Sequence, residues 1–347
     1  MRRPRRSLPF PLCEPECRLT AWARHGIWHG VRRLGLGPGD AVLVPSYSHG
    51  SEIEALLRTG VRCVFYDLDP DLAPRAAELE RLRDEHTRAL YLTHFLGFPQ
   101  PARGWREWCD ARGLLLIEDA AQAWLATDDG LPVGARSDLA VYCLYKTFGL
   151  PEGAVAYQPA SPAPVVPLDP RLGLGELARR NGRWLLARSA VAAGLWDRAR
   201  RDPPPVPARG APDHELRDPT VGPWALTPFV LRRIADPGAA ARRRENFAFL
   251  LERIGRHVPR PFGAVPPGAS PWAFPIEVED KRAVMGRLAD VGIVALDLWA
   301  VSHPAVPVER FPAVARRRAH TLGLPVHQEL RRRDLERIAE AAMRAMR

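Results

Sequence analysis

Lysine is almost absent from this chain. Of its 50 lysine and arginine residues only Lys146 and Lys281 are lysine, so wherever a positive charge alone is wanted the sequence uses arginine. Cysteine is sparse as well: there are five in 347 residues, an odd number at irregular spacings. Cys13 and Cys17 in CEPEC have no second Cys or His pair at zinc-ligand spacing. A disulfide scaffold and a zinc ribbon are therefore excluded, and the reading is a reduced, cytoplasmic protein. Long apolar runs are missing too, since no window approaches the roughly eighteen continuous apolar residues of a membrane helix. The start, MRRPRRSLPFPLCEPEC, is basic like a leader, but Pro9 and Pro11 break its apolar part and Glu14 and Glu16 follow at once. It reads as an extended arm over residues 1–20.

The formal net charge of +10 invites a nucleic-acid partner. The arginines are scattered, however, and the short RRR clusters at 242–244, 316–318 and 331–333 fall on segments that read as solvated helices. A chain-wide arginine bias accounts for the charge, and it makes a surviving lysine informative.

From residue 40 to about 157, short apolar runs alternate with helical patterns. Strands are expected at 41–46, 61–68, 89–95, 114–119 and 139–145, with helices at 51–60, 74–84 and 103–112. Such alternation predicts an α/β fold with a mainly parallel central sheet covered by helices, its sites at the carboxyl ends of the strands. Two proline-rich connectors, 158–170 and 201–212, flank a helical stretch at about 174–200, in which Trp184 and Trp196 read as packing residues. Further helices follow from about 225, with strands at 273–279 and 293–299 and helices at 281–291 and from about 333. The predicted organisation is an arm (1–20), a large domain (21–224, with a divergent segment at about 158–224) and a small C-terminal α/β domain (225–347). No internal repeat is present.

Lys146 sits at the end of an apolar strand, before a glycine-containing turn. Unlike arginine, lysine can lose its proton and act as a nucleophile, and desolvation favours the free amine that a Schiff base requires. From position alone an ordinary surface lysine at a strand end is the favoured reading. One strand earlier, LLLIEDAAQA ends an apolar run in Glu118 and Asp119. An acidic pair there can cap a helix. Paired with an amine, it can instead serve pyridoxal phosphate, which needs a lysine for its aldehyde and an aspartate for its ring nitrogen.

The runs LGLGPGDAVLVPSYSHGSEIEALLRTGVRCVFYDLDPDL, THFLGFPQP, GLLLIEDAAQA and SDLAVYCLYKTFGLPEGAVAY, with LGLPVHQELRRRDLERIAEAA near the end, resemble one family. It is the DegT/DnrJ/EryC1/StrS aminotransferases, the sugar aminotransferase branch of the fold type I pyridoxal phosphate enzymes. The resemblance runs from about residue 20 to the end and is weakest at about 158–240.

It implies that Lys146 holds the cofactor, that Asp119 pairs with the pyridine nitrogen and that Gln122 lies beside the ring. It also implies that His49, in PSYSHGSE, stands where an aromatic usually stacks on the ring. The phosphate anchor departs from the pattern. Ala23, Arg24 and His25 replace the usual Ser-Gly-Thr, and Cys143 replaces a serine, in the shorter three-residue connection to Lys146. The helix start remains an anion site by its backbone, to which Arg24 and His25 would add charged donors, while Cys143 is a weak donor.

Members with His in place of the lysine dehydrate, so Lys146 favours transamination. The resemblance further implies an amino acid donor such as glutamate, a keto acceptor such as a nucleotide-linked keto sugar, and a homodimer; no membrane or nucleic-acid partner is expected. Another pyridoxal phosphate reaction, or a catalytically silent relative acting as a binding or regulatory protein, stays open.

Overall fold

A computed structural model describes residues 8–159 and 214–347. Seven strands form one sheet: β1 (Cys17–Thr20), β2 (Ala41–Pro45), β3 (Arg62–Tyr66), β4 (Thr87–Thr93), β5 (Leu115–Asp119), β8 (Leu139–Cys143) and β9 (Ala154–Tyr157), in the order β1-β9-β8-β5-β4-β2-β3. A two-stranded ribbon, β6 (Thr127–Asp128) and β7 (Leu131–Pro132), lies outside it. The five strands β3, β2, β4, β5 and β8 are parallel, and β9 and β1 add an antiparallel edge. Every residue of β2 and β8 is buried, as strands covered on both faces must be, and this is why they read as unbroken apolar runs. The helices α1 (Ala23–Arg33), α2 (Ser51–Leu57), α3 (Ala76–Leu82) and α4 (Ala102–Asp110) make the connections.

Three expectations change. Strand 139–145 stops at Cys143, and Leu144–Thr147 form a short helix, α5, that carries Lys146. The cause is the antiparallel pairing of β8 with β9, which requires the chain to turn back; the Leu144 N–H still bonds in register to the Gly153 carbonyl at 3.0 Å, and beyond it the chain turns. The last four residues of the N-terminal arm are not free but form β1, paired with β9. Strand 293–299 shrinks to β11 (Leu296–Asp297).

The C-terminal part contains α6 (Thr227–Ile234), α7 (Ala239–Ile254), β10 (Ala273–Glu277), α8 (Lys281–Asp290), β11, α9 (Pro312–His320), β12 (Thr321–Pro325) and α10 (Arg332–Ala345). Its sheet is antiparallel with order β10-β12-β11. The α8 start is capped by Asp280, which accepts the Ala283 N–H at 2.9 Å. Neither α9 nor β12 was expected. The helix is masked by its arginines and the strand by Gly323 at its centre.

The two sheets meet where 270–272 runs along 96–97. The Ser270 N–H donates to Gly97 O and the Trp272 N–H to Leu96 O, each at 2.8 Å. Gly97 has φ +88°, and a Cβ there would overlap the Ser270 carbonyl, so this junction requires glycine. All five cysteines are free thiols. Among the described residues no helix is long and apolar enough to cross a membrane. The stretch with Trp184 and Trp196 lies outside the described residues.

Candidate active site

The carboxyl ends of β4, β5 and β8 are neighbours, and β5 ends in the acidic pair. Successive side chains of a strand face opposite ways, and the pair divides accordingly. Glu118 is fully buried, with Oε2 accepting the Gly134 N–H at 3.1 Å and lying 2.9 Å from His94 Nε2. His94 Nδ1 accepts the Gln100 N–H at 2.9 Å, so the ring proton is on Nε2 and is donated to Glu118.

Asp119 is only 8% exposed. The Tyr91 hydroxyl donates to its Oδ2 and the Ala121 N–H to its Oδ1, each at 2.9 Å. Burial raises its pKa and the nearby Glu52 carboxylate adds to the rise, while the Ala121 amide, Lys146 and Tyr91 oppose it. Glu52 is itself buried at the start of α2, accepting the N–H groups of His49 at 2.9 Å and Gly50 at 3.1 Å.

Lys146 Nζ lies 4.8 Å from the centre of the Trp272 ring. Among the described residues it donates no hydrogen bond and joins no ion pair, and its charge acts on Asp119 and Cys143. The turn that carries it is held from the C-terminal part. Arg243, buried on α7, donates through Nη2 to the carbonyls of Lys146 (3.3 Å) and Thr147 (2.9 Å). Its Nη1 donates to Pro271 O at 2.9 Å and its Nε to Gln328 Oε1 at 2.7 Å, and Gln328 donates in turn to Thr147 O at 2.9 Å. These are carbonyls a short helix leaves without intrahelical partners. Burial pulls the Arg243 pKa down to about 10.

Gln122 turns its Oε1 to the Leu96 N–H at 2.8 Å, beside the Asp119 strand end. His49 is half-buried, its Nδ1 3.2 Å from Ser51 Oγ and its ring edge-on to His214 at 5.7 Å between centroids. At the start of α1 the expected phosphate donors are engaged elsewhere. Arg24 Nη1 donates to Glu215 O, and His25 Nε2 lies 3.0 Å from Leu216 O. Cys143 is buried, with its sulfur 3.6 Å from the Tyr145 hydroxyl and against the Ala23 N–H; burial raises its thiol pKa.

Residues 20–153, which hold Asp119, Lys146 and the strands that present them, match the model of the DegT/DnrJ/EryC1/StrS aminotransferase family. The match covers well under half of the chain, so the likeness is one of this segment. A dTDP-4-dehydro-2,3,6-trideoxy-D-glucose 4-aminotransferase from Saccharopolyspora spinosa is 37% identical over 113 residues, 32% of this chain and 29% of that enzyme. The match thus spans less than a third of that relative. The erythromycin biosynthesis sensory transduction protein EryC1 of Saccharopolyspora erythraea is 29% identical over 305 residues, 84% of this chain and 70% of that protein. The crystal structure of the aminotransferase TlmJ from Streptoalloteichus hindustanus superposes with a TM-score of 0.65 at 24% identity, covering 95% of this chain and 85% of that one. That likeness concerns the fold alone, a mainly parallel central sheet covered by helices with a smaller antiparallel sheet after it.

Whether the residues of this segment fit pyridoxal phosphate is decided at the floor of the site. Thr93 stands opposite Asp119 in the β4–β5 register, and its hydroxyl is buried without a hydrogen-bond partner among the described residues. The hydroxyls of Ser46 and Ser48, just beyond β2, are in the same state. Two desolvated carboxylates, an amine and unused hydroxyls form a donor set suited to a polar ring with a cationic nitrogen. The ring end would therefore suit the cofactor, and for its phosphate the start of α1 offers the positive end of a helix dipole. Tyr91, Trp272, Arg243 and Glu52 were not found from sequence. Tyr91 carried a signal, since it shares a strand face with Thr93; Trp272 and Arg243 carried none.

Proposed function

We propose that this protein is a pyridoxal-phosphate-dependent aminotransferase that moves an amino group from an amino acid donor, glutamate, to a keto sugar, in the nucleotide-linked form. The observation that carries the reading is the placement of Lys146 and Asp119 at the carboxyl ends of adjacent strands, near enough for the lysine's charge to act on the aspartate. When bound, pyridoxal phosphate supplies the electron-accepting ring.

The chain's own residues do the rest. Asp119 would pair with the protonated ring nitrogen, and Gln122 would lie beside the ring. Lys146 anchors the cofactor and then, as a free amine, moves the substrate Cα proton as general base and acid. Trp272 covers the amine from one side and limits water there. The sugar acceptor is supported by the S. spinosa relative, whose name specifies a dTDP-linked keto sugar. A homodimer, with cytoplasmic location, completes the reading.

The test is borohydride reduction of the protein with pyridoxal phosphate. Wild type should gain a covalent adduct at Lys146 and Lys146→Ala none, and glutamate should then convert the cofactor to its amine form. No adduct in either protein would refute the reading.

A second reading is a binding or regulatory relative without turnover. It is favoured by the commitment of Arg24 and His25 to the 215–216 carbonyls, and EryC1 is named as a sensory transduction protein. Tight cofactor binding with no half-reaction for any amino donor would support it; an elimination or racemisation product would point to a different pyridoxal phosphate reaction.

A further inference from the structure

Tyr91 is fully buried, belongs to no surface, and spends its one proton on Asp119. The residue is held at its backbone and at its tip: the Tyr66 hydroxyl donates to the Tyr91 backbone carbonyl at 2.8 Å, and the Tyr91 hydroxyl donates to Asp119 Oδ2 at 2.9 Å. The β4–β5 register explains the reach. Thr93 is opposite Asp119, so Tyr91, two residues back on the same face, crosses diagonally with a side chain long enough to meet the carboxylate.

Together with the Ala121 amide on Oδ1, this gives each carboxylate oxygen one donor and leaves each a further lone pair. We propose that Tyr91 is a positioning residue of the cofactor site, whose hydroxyl holds Asp119 ionised and oriented to receive the protonated ring nitrogen. The proposal rests on the aminotransferase reading and adds a residue to it.

The charges around Asp119 show why such a donor is needed. Glu52 approaches from α2 and repels a second carboxylate, buried Cys143 and half-buried Tyr145 are neutral and pushed to higher pKa, and Lys146 is the cation on that side. The Tyr91 phenol is held well above its ordinary pKa by burial and by Asp119, so it remains a donor wherever the enzyme is folded. Without it, a desolvated carboxylate beside Glu52 takes up a proton at higher pH and no longer stabilises a cationic ring nitrogen.

The experiment titrates the full chain with pyridoxal phosphate across neutral and acidic pH for wild type, Tyr91→Phe, Asp119→Asn and the double variant. Melting of each cofactor-free protein is followed in parallel, with borohydride trapping at Lys146. Tyr91→Phe should still be trapped, should bind the cofactor roughly tenfold more weakly at neutral pH, and should lose binding at a higher pH than wild type. In the Asp119→Asn background the same change should alter affinity by less than about twofold, since the hydroxyl acts through the carboxylate. A purely structural tyrosine would weaken both backgrounds alike and leave the acid limb in place, and that result overturns the proposal. A wild type that is trapped normally while Tyr91→Phe matches it at every pH overturns it alone; a wild type that is never trapped removes the aminotransferase reading and the proposal with it.

Discussion

The two lysines of the chain sit on helices in its two parts, Lys146 on α5 after β8 and Lys281 at the start of α8, and live in opposite conditions. Lys281, at the start of α8, is 7% exposed, with Nζ 2.6 Å from Asp297 Oδ1 and donating to Arg318 O at 2.8 Å. Lys146 is half-buried, without an ion pair among the described residues, its Nζ against an indole face. Rarity is therefore not the mark of a reactive lysine, since one of the two is a structural cation that satisfies a carboxylate and a carbonyl. What distinguishes the other is that its ammonium is left available beside Asp119 while its backbone is fixed by Arg243. A reactive amine needs a rigid stem and an uncommitted head, and a structural one needs the reverse.

Substitution at Lys146 should break this contrast most severely. Lys146→Ala should remove the trapped adduct and lower transamination by about a thousandfold or more, and Lys146→Arg should not restore it, because guanidinium stays protonated. Reductive trapping with mass mapping, followed by a glutamate half-reaction, checks both. The effect at Lys281 should be on stability instead. Lys281→Ala should cost about 3 kcal/mol by leaving Asp297 without its cation in a largely buried place, seen as a fall in the urea midpoint, while trapping at Lys146 persists. Lys281→Arg keeps the charge but must fit a larger, planar group, and should cost about 1–2 kcal/mol.

Asp119→Asn should raise the melting temperature of the cofactor-free protein at neutral pH. Because burial puts the folded pKa of Asp119 above its unfolded value, the carboxylate's contribution is fully favourable only below the unfolded pKa and is lost as pH rises through the folded one. The gain from Asn should accordingly be full at neutral pH and vanish on acidification through the ordinary carboxylate range; equal melting of the two proteins at neutral pH would contradict it. The smallest effect is again at Lys146, where Ala should change cofactor-free stability by no more than about 0.5 kcal/mol, a chemical denaturation comparison that sharpens the contrast with Lys281.

The parallel strands were legible because burial on both faces leaves apolar runs, as in AVLVP and LAVYC, and because Lys146 and Asp119 follow two such runs. The end of β8 was misread by two residues, since an apolar run does not reveal where the chain must leave a ladder to return antiparallel. Arg24 and His25 looked like phosphate donors from their place at a helix start, yet side-chain direction there is decided by the 215–216 segment, nearly two hundred residues away in sequence. Arg243 was one arginine among 48. Nothing local marks it as the residue that grips the lysine's turn.

By itself the sequence determined the α/β alternation, the family-like segment, and the positions of Lys146 and of Asp119 one strand before it, because periodicity and residue chemistry are local. Only the tertiary structure decided which of two rare lysines keeps an uncommitted amine among the described residues, which of two adjacent carboxylates feels its charge, and which tyrosine holds that carboxylate and which arginine the lysine's turn. Those choices depend on strand register and on contacts between distant segments, such as Tyr91 with Asp119 and Arg243 with Thr147, that no short window of residues contains.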